Sequence, residues 1–121
     1  TLGAICGALL ANVMFDLDIF QVSEKLRTGS NLWLSEGVAT AGLILIILLS
    51  PKEKTAIMVA SYIGAAYWFT SSTSFANPAV TIGRVFSNTF TGIEPYSAMY
   101  FIIYQLIGAL IGFIIFTFLR K

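Results

Sequence analysis

One short segment, Ser74 to Arg84, carries the residues whose types and spacing suggest chemistry. Asn77 favours a helix N-cap, and Pro78 suits the first helical position because its missing N–H would have no partner there. The pair predicts a short helix over residues 77–88. The first N–H groups of a helix are free and carry partial positive charge, so they form a polar site wherever they face a cavity. An ordinary capped surface helix is the alternative.

Few other side chains could act on a substrate. The chain has no histidine and one cysteine, so the commonest general base and metal ligand is missing. Glu36 is the one carboxylate inside an apolar stretch. Such a carboxylate is costly in a membrane helix and usually functional, although a position near the helix end also fits an interfacial residue. The sequence therefore argues against an enzyme, and we expect no cofactor or metal.

The amino-acid composition indicates what surrounds most of the chain. The chain has 121 residues, of which 57% are hydrophobic and 11% are charged, whereas an ordinary soluble domain carries roughly 25% charged residues. A domain of this size buries too little of its chain to hide so much apolar surface from water. We therefore expect a lipid bilayer as the main partner. The net charge of +1 gives no basic surface for nucleic acid.

Four apolar stretches could cross that bilayer. They cover residues 1–16, 31–50, 55–72 and 96–119. Crossing takes roughly 20 apolar residues, so the second and fourth qualify, the third is borderline, and the first reads as the end of a helix that begins upstream. The sequence thus predicts an all-α membrane protein, with 1–121 as a single, N-terminally truncated domain.

Residues 71–95 are too polar to face lipid and rather apolar for a loop in water. Irregular backbone at membrane depth is tolerated only where protein or a water-filled cavity borders it. A re-entrant loop fits this description. Basic residues favour the cytoplasmic side, so the turn at Lys52 and Lys54 and the end at Arg120 and Lys121 are predicted to be cytoplasmic. Residues 16–31 are then external.

A faint internal repeat accompanies this pattern. Residues 2–7 are similar to residues 107–112, and both carry glycines four positions apart. Small residues at this spacing let membrane helices approach closely. Inverted repeats are frequent in transport proteins, although two unrelated packing motifs would look the same.

Asn77-Pro78-Ala79 resembles the signature of the aquaporin, or major intrinsic protein, family. Residues 36–40 resemble the family's glutamate-bearing helix, and residues 105–109 resemble the helix that closes each repeat. The order of these features also matches over the whole chain. The resemblance implies a right-handed helical bundle with a re-entrant half-helix. The basic turn at Lys52 favours the second half of the family's fold: the end of spanning helix three, helices four and five, the half-helix 77–88 and helix six.

The resemblance also implies roles for individual residues. Asn77 would donate hydrogen bonds to water or solute, and Pro78 and Ala79 would pack two half-helices together. Glu36 would accept hydrogen bonds from backbone N–H groups of the re-entrant loop and support it. Helix dipoles would oppose cations and protons there.

The sequence departs from the family pattern after Ala79. Most members carry an arginine there, at the narrowest constriction, whereas this chain has Val80. The other filter positions that the resemblance assigns are Ala65 and Ser74. These three residues predict a wide, weakly polar constriction suited to glycerol, urea or undissociated metalloid acids, as in aquaglyceroporins. Arg84 shares a helix face with Val80, so it could reach the pore mouth or pack against protein or lipid headgroups.

The predicted function is therefore a passive channel for water or small neutral solutes. The resemblance further implies a homotetramer, and the expected location is the cell (inner) membrane, as a multi-pass protein with a cytoplasmic C-terminus. The alternative is a non-conducting structural module, because the chain is expected to lack half of a pore.

Overall fold

The computed structural model describes residues 1–120, and this part of the chain contains helices and no strand. The helices are α1 (Leu2–Met14), α2 (Ser30–Leu49), α3 (Thr55–Phe69), α4 (Pro78–Arg84) and α5 (Pro95–Leu119). A single 3₁₀ turn, Lys52–Lys54, joins α2 to α3. The all-helical class predicted from the apolar stretches is confirmed. Lys121, part of the predicted cytoplasmic end, lies outside the described residues.

Two helices, α2 and α5, are long and apolar enough to cross a membrane. They pack against each other along small residues, where Gly108 and Gly112 of α5 lie against the backbone of Gly37 and Ala41. The outer face of α5 is apolar and open, and Leu106 and Leu110 are each 60% exposed. Within the described residues nothing covers this face, as expected for a helix that faces lipid or another membrane helix.

Helix α3 has 15 residues, so it spans about 22 Å at a rise of 1.5 Å per residue. It ends at Phe69, three residues before the end of the predicted stretch. Thr70 is extended, and its N–H and Oγ1 both donate to the carbonyl of Ala66. The chain leaves the helix here and turns towards α2.

Helix α1 ends in a Schellman motif, two residues before the end of the predicted stretch 1–16. The N–H of Leu17 donates to the carbonyl of Asn12, and the N–H of Asp16 donates to that of Val13. Asp16 has φ +57°, a left-handed conformation that ends helices and that aspartate tolerates better than most residues. The turn directs residues 17–29 back across the fold.

Helix α4 begins at Pro78 with Asn77 at its N-cap, at the position where the sequence predicts a helix start. It ends at Arg84, so the prediction that it reaches residue 88 is wrong. Two carbonyls beyond the helix are taken by distant donors: Val85 O accepts from the N–H of Ser23, and Phe86 O accepts from Asn12 Nδ2. These contacts divert the chain after about two helical turns.

Between the helices lies a small apolar core. Phe75, Ile93, Ala98 and Phe101 are buried and pack together, with Leu32, Trp33 and Val85 around them. The core joins α2 and α5 to the irregular segments on both sides of α4. Those segments are thereby fixed beside the two long helices.

Candidate functional site

The segment that leads into α4 has an unusual backbone. Thr73, Ser74 and Ala76 have φ angles of +63°, +48° and +51°, a region that non-glycine residues rarely occupy. Each such residue costs about 1–3 kcal/mol and persists only where its surroundings impose it. The conformation therefore requires strong local partners.

Glu36 is the main partner of this segment. It is fully buried on α2. Its Oε1 accepts from Phe75 N–H at 2.9 Å and from Ser72 Oγ at 2.6 Å, and its Oε2 accepts from Ala76 N–H at 2.8 Å. Hydrogen bonds to an ionised carboxylate are about twice as strong as neutral ones. The carboxylate thus binds the backbone of the strained segment at Phe75 and Ala76, and the side chain of Ser72 just before it.

Gln105 extends the network from α5. Its Nε2 lies 2.7 Å from Glu36 Oε2 and 2.8 Å from Thr81 Oγ1. Thr81 Oγ1 in turn donates to the carbonyl of Asn77 at 3.0 Å. Gln105 Oε1 is buried with no partner, but turning the amide over would place this oxygen against the carboxylate. The network therefore links the carboxylate of α2 to the first turn of α4 through one amide.

Asn77 lies at the end of this hydrogen-bond network. Its Oδ1 accepts from Ala79 N–H at 2.8 Å, and its side chain is exposed. Because the oxygen is engaged, the Nδ2 group is left to donate outwards, and the described residues offer it no partner. Pro78 and Ala79 form the first turn behind it and are half-buried.

The residues predicted at the constriction lie in different surroundings. Val80 and Arg84 line one cavity of about 240 Å³ together with three alanines of α1, Ala4, Ala8 and Ala11. Ala65 is exposed on α3. Ser74 is only 4% exposed, and its Oγ is buried without a partner. Neither Ala65 nor Ser74 lines the cavity that contains Val80.

Arg84 lies on the same face of α4 as Val80, as its spacing predicts, but its guanidinium is packed. Its Cζ lies 4.2 Å from the centroid of the Phe75 ring. Nη1 is buried and has no hydrogen-bond partner in residues 1–120. The guanidinium thus meets the ring of Phe75 in a cation–π contact.

Comparison with known proteins shows a clear similarity to a curated protein. The chain is 53% identical over 110 residues to a protein named aquaglyceroporin AqpS from Rhizobium meliloti strain 1021. The match covers 88% of this chain and 47% of the relative, so the chain spans about half the length of the protein it matches. No family model and no solved structure matches the chain. The chain belongs to the aquaporin family.

Membership of the aquaporin family and the two long apolar helices identify an integral membrane protein. Asn77 and Glu36, whose contacts are described above, both lie in segments that resemble motifs of this family. Among residues 1–120, no group of three His, Cys, Asp or Glu side chains could hold a metal ion.

Sequence reasoning missed Arg27, which it counted only as one charge of an external loop. The structure buries this side chain to 6% exposure. Its Nε donates to Gly92 O at 2.8 Å, Nη2 to Phe90 O at 2.7 Å, and Nη1 to Ser72 O at 3.4 Å. Burial lowers the pKa of the Arg27 guanidinium from its ordinary value, and the charge of Arg84 lowers it further. The residue ties the segment between α1 and α2 to both loops that flank α4.

Sequence reasoning also missed Asn12 on α1. It is 1% exposed, and its Nδ2 donates to the carbonyls of Ile19 and Phe86. An asparagine at the end of an apolar helix gives no indication of such distant partners. Together Asn12 and Arg27 fix residues 17–29 over the C-terminal end of α4.

Proposed function

We propose that this chain forms half of a passive transmembrane channel for water and small neutral solutes, with Asn77 at the polar centre of the pore. One observation carries the proposal. Glu36 takes the N–H groups of Phe75 and Ala76 away from the pore side, so the segment's carbonyl groups and the Asn77 amide remain as the polar lining. Half-helix termini of this kind create polar sites at membrane depth.

The chain then supplies one re-entrant half-helix, α4, and a second half-helix comes from outside it. Under this proposal, residues 70–94 enter and leave the bilayer on the external side. The turn at Lys52 and Lys54 and the C-terminus face the cytoplasm, in the cell membrane. The active form is a homotetramer with one pore per subunit, proposed by analogy with the family.

Glycerol, urea and undissociated metalloid acids are the proposed solutes beside water. Ala65, Ser74 and Val80 are the proposed constriction residues of this half, and all three are small and uncharged. The relative is named an aquaglyceroporin, which supports the glycerol part of the proposal. Glu36, with all its hydrogen bonds made to the fold, acts as a support and not as a proton carrier.

The test uses the protein expressed from its complete gene and reconstituted in liposomes. Stopped-flow light scattering would record shrinkage under an impermeant osmolyte and then re-swelling under a glycerol gradient. Fast shrinkage followed by fast re-swelling is the expected result. Shrinkage without glycerol entry would contradict the solute assignment. Rates equal to those of empty liposomes would favour a non-conducting structural module.

A further inference from the structure

Two arginines share one buried aromatic ring. Arg27 comes from the segment between α1 and α2, and Arg84 is the last residue of α4. Their Cζ atoms lie 5.0 Å and 4.2 Å from the centroid of Phe75, whose side chain is 3% exposed. The fold thus gathers two positive charges at one point, although like charges repel strongly where water is excluded.

The cluster of Arg27, Arg84 and Phe75 keeps a net positive charge. The acidic group that acts on both guanidinium groups is the carboxylate of Glu36, and the hydroxyl of Tyr67 is the other titratable group near them. Both oxygens of Glu36 are already occupied by hydrogen bonds to Ser72, Phe75, Ala76 and Gln105. Two guanidinium groups therefore lie near one carboxylate. Backbone carbonyls accept hydrogen bonds from Arg27, whereas the buried Nη1 of Arg84 has no hydrogen-bond partner within residues 1–120.

Packing alone gives a poor account of this arrangement. A core aromatic needs no charged neighbours, and Arg84 leaves Nη1 buried without a hydrogen bond, which is costly. A leucine or methionine would cover Phe75 without that cost. The charge itself is the property that an apolar residue could not supply.

The position of the cluster agrees with a role in the pore. Phe75 lies two residues before Asn77, and Arg84 lines the same cavity as Val80. A fixed arginine beside a pore raises the energy of any cation or proton that passes. We infer that Arg27 and Arg84, stacked on Phe75, form the electrostatic barrier that excludes cations and protons from this channel, whose constriction carries Val80. The inference rests on the proposed function.

The test compares charge removal with charge retention. Liposomes that contain the complete protein and an internal pH-sensitive dye would report proton leak under a potassium diffusion potential, with glycerol re-swelling measured on the same vesicles. Arg84→Met should raise the proton leak by about tenfold, because a unit charge roughly 10 Å from any passing cation, at an effective dielectric of about 20, contributes a barrier of about that factor. Arg84→Lys, which keeps the charge, should leak like the wild type.

Lys25 provides the matched control. Its Nζ lies 4.8 Å from the centroid of the Phe90 ring, so Lys25→Met removes a neighbouring cation–π contact that does not involve Phe75. We expect this variant to leak like the wild type. Arg27→Met should leak as Arg84→Met does, but it also loses three hydrogen bonds to backbone carbonyls. Arg84→Met therefore decides the question, since its Nη1 has no partner to lose.

The possible failures are distinguishable. Vesicles that conduct water or glycerol but show unchanged proton leak in Arg84→Met would overturn the barrier alone. Equal leaks in Arg84→Met and Arg84→Lys would also overturn it, because they would reflect lost packing and not lost charge. Wild-type vesicles that pass neither water nor glycerol would overturn the proposed function and the barrier with it.

Discussion

Gln105 Nε2 lies 2.7 Å from Glu36 Oε2, and this contact crosses the interface between the two longest helices. The same nitrogen reaches Thr81 Oγ1 at 2.8 Å. Because both contacts are buried, the amide fixes the distance between α2, α4 and α5 at the level of the strained segment. The position of α4 therefore depends on side-chain chemistry and not only on apolar packing.

Glu36→Gln should destabilise the protein strongly. A glutamine offers one oxygen, yet donors face both positions: Phe75 N–H on one side, Ala76 N–H and Gln105 Nε2 on the other. Either orientation sets an NH₂ group against a donor, and leaving buried groups unpaired costs about 1–3 kcal/mol or more. A lower thermal unfolding midpoint in detergent and loss of solute flux would be measured.

The control for this variant is Glu53→Gln in the exposed turn between α2 and α3, which should leave both properties unchanged. An unfolding midpoint for Glu36→Gln equal to that of the wild type would contradict the assigned role of the carboxylate.

Local sequence chemistry predicted the start of α4 but not its end. Asn77 and Pro78 act through their own backbone, so their effect can be read from the sequence alone. The end at Arg84 depends on donors from Ser23 and Asn12, which are more than sixty positions away along the chain. No local pattern encodes those partners, and the apolar residues that follow Arg84 read as a continuing helix.

The candidate site was predictable to a similar degree. Glu36 stands out because a carboxylate is rare in an apolar stretch. Arg27 does not, since a charged residue in a polar loop is usually solvated and its acceptors are backbone carbonyls, which any residue supplies. Tertiary structure alone shows that residues 17–29 cover α4 and bury this arginine.

Gly108→Ala should weaken the packing of α2 against α5. A Cβ at Gly108 would overlap the carbonyl of Gly37, and overpacking of this kind costs about 1–3 kcal/mol. The matched control is Gly7→Ala in the similar sequence motif of α1, where a Cβ meets nothing within 4 Å in the described part of the chain. Thermal unfolding in detergent should give a lower midpoint for Gly108→Ala than for Gly7→Ala. An equal loss of stability in both would show that α1 is packed at Gly7 by a surface outside this chain.

Glu94 should make the stability of α5 depend on pH. Its carboxylate is the N-cap of the helix, and the N–H of Ser97, followed by that of Tyr96, lowers the pKa of Glu94 from its ordinary value of 4.5. A lowered pKa in the folded state means that the stabilisation is present above the unfolded-state value and is lost as the pH falls through the folded-state value. The thermal unfolding midpoint of the wild type should therefore drop as the pH falls below 4.5.

Glu94→Gln should remove this component of the pH profile. The variant should be less stable than the wild type at neutral pH, and the difference should shrink as the pH falls below 4.5. Glu24→Gln is the control, because the Glu24 carboxylate makes no hydrogen bond within residues 1–120. A constant difference between Glu94→Gln and the wild type at every pH would contradict the capping role.

Val80→Arg should narrow the constriction proposed at residue 80. Val80 lines the cavity beside α1, and an arginine there adds bulk, a fixed charge and a planar set of donors. Glycerol permeability should fall by about tenfold or more, which corresponds to about 1.4 kcal/mol in the barrier, whereas water permeability should fall less. Val80→Leu, which adds bulk without charge, separates the two effects. Unchanged glycerol entry in Val80→Arg would show that residue 80 does not line the narrowest part of the path.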